Sequence, residues 1–276
     1  MKNILVPTDF SENCTKAAYL GIKMAKLYNA EIHFLYLMTT PVDWVALDKL
    51  KEKHYPETVK QIGIAKAKLR ELERLAEHDE LKCRTYLQFD AGQKEILEHS
   101  GHFQHDFIIT GSSGTKGIIR EITGSNVEEI VRKANAPVIV VKDEEATFPF
   151  KNIAFVSDFK EDVTNAFEQV ISIANKCDAY IHLLRINTET DFNSIELGLN
   201  PIKELLQKFP ELKNYSMAVY NEPSVETGIN TFTEHQPTDL IAMVTHGKTG
   251  FLSLFSKSIA EVVTNHSPLP VMTIHI

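Results

Sequence analysis

The chain repeats itself. Asn3-Ile4-Leu5-Val6-Pro7-Thr8-Asp9-Phe10 returns 149 residues later as Asn152-Ile153-Ala154-Phe155-Val156-Ser157-Asp158-Phe159. The same offset carries Ala30-Glu31-Ile32-His33 onto Ala179-Tyr180-Ile181-His182. Each half then has a glycine turn after an apolar run, Thr110-Gly111-Ser112-Ser113-Gly114 and His246-Gly247-Lys248-Thr249-Gly250. Each half also ends on a Pro-led apolar stretch, Pro137–Val141 and Pro270–Ile274. Solenoid repeats run to roughly 20–50 residues, so a period this long denotes a duplicated domain. The 276 residues therefore divide in two, about 1–143 and 148–276, around a short polar linker at 143–147.

Each copy alternates short apolar runs with helical periodicity, which calls for a three-layer α/β domain with parallel crossovers. In the first copy, strands are expected at Lys2–Val6, Ile32–Met38, Leu81–Gln88, Asp106–Thr110 and Pro137–Val141. Ser11 is a cap for the first helix and Asn29 its stop. Asp43–Tyr55 is irregular with helical tendencies, and Thr58–His78 is a long amphipathic helix with Ile62, Ile64, Leu69, Leu72 and Leu75 inward. Short helices are expected at Gln93–Ser100 and Ser125–Ala134. In the second copy the helices are Asp162–Lys176, Pro201–Phe209, Ser224–Glu234 and one near Lys257–Asn265, between strands at Ile153–Ser157, Tyr180–Ile186, Lys213–Tyr220, Asp239–Thr245 and Leu269–Ile274.

The formal charge of −8 argues against a nucleic-acid surface, which needs clustered base. No stretch is apolar enough to span a bilayer. Cys14, Cys83 and Cys177 are isolated, and the first strand begins at once with no room for a signal peptide, so a reducing cytoplasm is the expected compartment. None of this excludes a small anionic ligand.

The chemistry concentrates at Gly111-x-x-Gly114, nine residues, then Gly124-Ser125. Glycines after a parallel strand let backbone N–H groups turn inward as an anion nest. The helix starting at Gly124-Ser125 adds unpaired donors and the positive end of its dipole. Ligands of open α/β sheets lie beyond the carboxyl ends of the strands, where Asp9 can accept hydrogen bonds from a ribose or a base edge. The plainer reading is that the glycines merely turn the chain and Asp9-Phe10-Ser11 merely caps a helix. There is no Walker A sequence and no Gly-x-Gly-x-x-Gly fingerprint. Ser112 and Ser113 lack a His–Asp relay, so no catalytic residue is assigned. A Mg²⁺ held by Asp9 and the Ser125 hydroxyl would permit slow hydrolysis. His99, His102 and His105 are spaced for zinc, but on a polar segment they are better read as loop residues, and no metal ligand is assigned. His33 and His182 read as packing residues.

These motifs resemble the universal stress protein family, here as a tandem of two domains. The resemblance implies two Rossmann-like three-layer α/β/α domains, each with a five-stranded parallel sheet in order 3-2-1-4-5, pairing through their fifth strands. It implies ATP or AMP as the ligand of the first domain. The residues carried over are Pro7, Thr8, Asp9, Leu37 beside adenine, Gly111, Ser113, Gly114, Gly124, Ser125 and Asn126. In the second half Gly247 and Gly250 are matched to Gly111 and Gly114. Six residues then separate Gly250 from Lys257-Ser258, a loop three residues shorter, and Lys257 stands for the glycine. That predicts a second site that is empty or weak, with Phe251–Phe255 filling it or forming an apolar ridge. The alternative function is a scaffolding module with no nucleotide, acting through an unidentified protein partner or a homodimer.

Overall fold

The computed structural model describes residues 1–90, 100–101, 103–112, 130–131, 134–142, 146–189, 194–245, 263 and 267–276. The chain forms two compact units, Met1–Ile130 with Ala134–Val141, and Val131–Lys133 with Lys142–Ile276.

The first unit holds β1 (Asn3–Pro7), β2 (Glu31–Thr39), β3 (Cys83–Asp90), β4 (Phe107–Gly111) and β5 (Val138–Val141), in the order β3-β2-β1-β4-β5. All of these pairings are parallel. Helix α1 (Glu12–Tyr28) joins β1 to β2, and α2 (Pro56–His78) leads into β3. In the second unit β6 (Asn152–Val156), β7 (Tyr180–Asn187), β8 (Tyr215–Asn221), β9 (Leu240–Thr245) and β10 (Val271–His275) repeat the pattern, with β8-β7-β6-β9-β10 in parallel. Its helices are α3 (Thr164–Cys177), α4 (Ile195–Gln207) and α5 (Val225–His235). The expected strand order 3-2-1-4-5 holds in both. Of the helices expected at 93–100, 125–134 and 257–265, most residues lie outside the described ones; Ser100, Ile130, Val131 and Val263 are helical.

The two faces of the second sheet show why helices must lie on both sides. Successive strand residues alternate in direction. Phe155 meets Phe167 of α3 with ring centroids 5.1 Å apart. Its neighbours Ala154 and Val156 instead join Leu184, Ile186, Ile229 and Phe232 of α5 in a buried cluster. Each such side chain contributes about 1.5–3 kcal/mol by leaving water.

The duplication is written into the backbone. Phe10 and Phe159 both take left-handed conformations, φ 62° and 55°. Asn29 and Asp178, which close α1 and α3, both lie at φ 52°. Asn there ends a helix readily because its side chain tolerates this region. Asp106 accepts from the backbone N–H groups of Lys2 and Asn3, and Asp239 does the same for Lys151 and Asn152, tying the start of each first strand.

Two local expectations are corrected. Ile64 and Leu75 are exposed, and the buried stripe of α2 is Ala65, Leu69, Leu72 and Ala76. The spacing of four, three and four keeps the two alanines in line with Leu69 and Leu72, and Ile64 and Leu75 fall a step off it. Helix α4 begins at Ile195 and runs through Pro201. Ser194 caps it by accepting from the Leu197 N–H, which offsets the hydrogen bond that Pro201 cannot donate. Lys49–His54, within the segment expected to be irregular with helical tendencies, is a 3₁₀ helix capped by Asp48.

Candidate functional site

The carboxyl ends of β1, β2 and β4 meet at one rim of the first unit. Thr8 extends β1 by donating its N–H to the Leu35 carbonyl at 2.9 Å. The chain then turns sharply. Phe10 N–H donates to Thr8 Oγ1 at 3.0 Å, and Ser11 N–H donates to Asp9 Oδ1 at 2.8 Å. Ser11 Oγ in turn accepts from Cys14 N–H, capping α1. This arrangement holds Phe10 in the left-handed region, which costs a bulky residue on the order of 1 kcal/mol. It leaves the Asp9 carboxylate exposed on the rim, and Pro7 and Thr8 buried beneath it. Leu37, half-buried, lies two residues beyond the last β1–β2 pair, Pro7 with Leu35. Pro7, Thr8, Asp9, Leu37 and Gly111 are thus brought to one end of the sheet. Ser113, Gly114, Gly124, Ser125 and Asn126 lie outside the described residues, as does the Phe251–Phe255 ridge.

The residues around Asp9 include four that sequence reasoning did not single out. Phe10 stacks at 4.7 Å on Tyr36, and the Lys68 ammonium of α2 sits 5.0 Å from the Phe10 ring. Asn13 Nδ2 donates to both the carbonyl and the hydroxyl of Ser112, at 3.2 Å each, binding the start of α1 to the end of β4. The repeated Asp-Phe pair at positions 158–159 is the one signal in the sequence that marks the turn. Burial, with Asp9 adding to it, pushes the Cys14 thiol up to about 11, and the same two causes raise the Tyr36 phenol.

Gly111 does not take the left-handed conformation expected of a nest glycine. It is the last residue of β4, buried, and its φ is not positive. A Cβ there would lie 2.4 Å from Asn13 C and Cys14 N. Its missing side chain admits the first turn of α1, so the glycine is required by packing before any ligand is considered.

The sheet register also corrects the alignment of the two glycine turns. Leu5 pairs with Ile108 and Ala154 with Ile241; Gly111 pairs with Val141 and Val244 with Ile274. Gly111 therefore corresponds to Val244, and Gly247 to Gly114. The same 133-residue offset relates Ser125 to Ser258 and Pro137 to Pro270, so the second loop is not three residues shorter. The second copy instead carries Val and Lys where the first has Gly111 and Gly124. The change at Val244 goes with one at the start of the helix that corresponds to α1. Helix α3 starts at Thr164 with no side-chain cap, which leaves Asp162 and Val163, the counterparts of Asn13 and Cys14, ahead of its first turn. The turn before it survives: Phe159 N–H donates to Ser157 Oγ and Lys160 N–H to Asp158 Oδ1.

Of the three histidines spaced for zinc, His105 is buried against His33, and His99 and His102 lie outside the described residues. His33 and His182, read as packing residues, are both buried, and both ring nitrogens of His33 and Nδ1 of His182 meet side chains. Among the described residues no helix is long and apolar enough to cross a membrane.

The family model of the universal stress proteins matches residues 1–142 and again 149–275. A universal stress protein of Methanocaldococcus jannaschii is 28% identical over 149 residues, 51% of this chain and 82% of the relative. A second from the same organism is 27% identical over 154 residues, 51% of this chain and 94% of the relative. The crystal structure of a universal stress protein from Archaeoglobus fulgidus shares the fold across both halves, with a TM-score of 0.76 at 20% identity over 99% of this chain and 98% of that one. The duplicated α/β architecture and two separate family matches make this chain a tandem, two-domain member of the universal stress protein family.

Proposed function

We propose that the domain at 1–143 binds an adenine nucleotide, ATP or AMP, as a regulatory or conformational ligand with at most slow hydrolysis. In this reading the domain at 148–276 keeps the fold without a competent site and supports assembly, in a stress response of the cytoplasm. The observation that carries it is the exposed Asp9 carboxylate, fixed by its own turn at the carboxyl end of β1 beside Leu37. A rigid acceptor next to an apolar wall suits a ribose hydroxyl and a base. The phosphate half rests on the spacing of Gly114, Gly124, Ser125 and Asn126, whose backbone donors and hydroxyl suit anionic oxygen. A carboxylate and a hydroxyl would also suit Mg²⁺, through Asp9 and Ser125. Val244 and Lys257 support assigning the nucleotide to the first domain alone.

Pairing of two chains, read by sedimentation equilibrium, and of the domains within one chain, read by small-angle scattering, belong to the same proposal. Nucleotide binding is tested by heating the purified protein and assaying the supernatant. Adenine nucleotide near one per chain, absent from a Gly124→Val/Ser125→Ala variant, supports the reading. A double variant that binds ATP as tightly as the parent rejects it. The scaffolding alternative draws on Val45 and Leu50, apolar side chains 79% and 77% exposed in the segment before α2.

A further inference from the structure

A second cluster of titratable groups lies at the opposite end of the first sheet from Asp9. His33 of β2 is 3% exposed and His105, just before β4, is 6% exposed. Their rings meet directly, His33 Nδ1 to His105 Nε2 at 2.8 Å, with ring planes at 88°. His33 Nε2 faces Glu31 Oε1 at 3.0 Å, and His105 Nδ1 faces the Ser100 carbonyl at 3.3 Å. Phe103 and Tyr86 enclose the pair. Among the described residues the second unit has no such pair: His182, at the place of His33, bonds Ser216 Oγ instead.

The proton count of this chain of contacts is fixed by its acceptors. Glu31 carboxylate and Ser100 carbonyl only accept, and the ring–ring contact needs one N–H against one lone pair. Three ring protons satisfy all three contacts. Two neutral rings carry two, which leaves one contact without a proton. Two imidazolium rings carry four, and two N–H groups then point at each other across 2.8 Å.

We propose that His33 and His105 form an acid-sensitive latch that ties β2 to the segment entering β4, tolerating one added proton and broken when both rings are charged. The surrounding charges set its range. Glu31 favours protonation of His33, but it also bonds Arg84 Nε at 2.5 Å, and that guanidinium opposes a second cation nearby. Asp106 pulls the other way on His105, and Tyr86 adds no cation. Burial lowers the pKa of His33, and burial together with His33 lowers that of His105 to about 4. Both imidazoles thus bind protons more weakly folded than unfolded. Stability is complete above about 6.5, the unfolded value, and is lost as pH falls toward about 4. Each proton taken up on opening raises the opening constant about tenfold per pH unit in that window.

The test uses the full chain labelled with ¹⁵N in its imidazoles and titrated from pH 8 to pH 4 by NMR. Expected are two coupled steps on His33 and His105, both below 6.5. Hydrogen-exchange protection should fall from about 6.5 downward, by about tenfold per pH unit for each proton taken up on opening, and level off below about 4. The reporting amides are His105, bonded to Ser100, and Asp106, bonded to Asn3, with intrinsic exchange rates divided out. In a His105→Gln variant the pH dependence of the Asp106 amide should shrink to the part that His33 alone supplies, and if that variant does not fold, the titration of the parent chain decides. Independent titration of both rings near 6.5, protection unchanged to pH 4, or the same loss in the variant would each overturn the latch.

Discussion

Replacing Gly111 by Ala separates two roles for the glycine. The added Cβ would sit 2.4 Å from two backbone atoms of α1 and 2.7 Å from Asn13 O. None of these is the far end of a flexible side chain, so about 1 Å of relief must come from moving the helix start or the end of β4. Such overpacking costs about 1–3 kcal/mol. The Asn13–Ser112 hydrogen bonds span the same junction and weaken with it. For a unit of this size about 4 °C of melting temperature goes with each kcal/mol, so the first unit should melt about 4–12 °C lower. Scanning calorimetry of the full chain measures this beside Gly63→Ala, where a Cβ meets nothing within 4 Å and the exchange in mid-helix should stabilise by about 0.5–1 kcal/mol. Gly111→Ala melting within about 1 °C of the parent would refute the packing argument.

Two further outcomes follow from the Asp9 turn. Phe10→Asn should melt close to the parent because Asn tolerates φ near 60°, whereas Phe10→Val should lose about 1–2 kcal/mol, and equal melting of the two would remove the strain argument. Cys14, its thiol pushed up to about 11, should resist iodoacetamide at pH 8 until the protein unfolds. The same shift means the folded state loses stability as pH rises from 9.0 toward about 11, since the unfolded chain then releases the proton more readily. Rapid alkylation of native Cys14 at pH 8 would contradict its burial beside Asp9.

Much of the fold was legible because the duplication supplied two independent readings of one pattern. The strands stood out as apolar runs, and Asn29 and Ser11 bounded α1 as their chemistry requires. Reading failed where tertiary packing overrode local rules. Pro201 looked like a helix start, but the Ser194 cap lets α4 begin earlier. Leu75 and Ile64 looked like core by type, yet the alanines have the right spacing to face the sheet. The candidate site was half legible: Asp9 and Gly111 stand at the rim, but glycine spacing alone could not tell packing against α1 from approach to a ligand. It also misaligned the second turn, although the 133-residue offset from Pro137 to Pro270 places Val244 at Gly111, as the strand pairing does. Phe10 carried no signal in its residue type, since its role is a backbone conformation.

The most direct measurement is calorimetric titration of ATP and AMP into the nucleotide-free full chain and into its Asp9→Ala and Asp158→Ala variants. The account predicts one adenine nucleotide per chain, weakened at least tenfold by Asp9→Ala and unchanged by Asp158→Ala. Two nucleotides per chain, no binding at all, or a loss that follows Asp158 instead of Asp9 would contradict it.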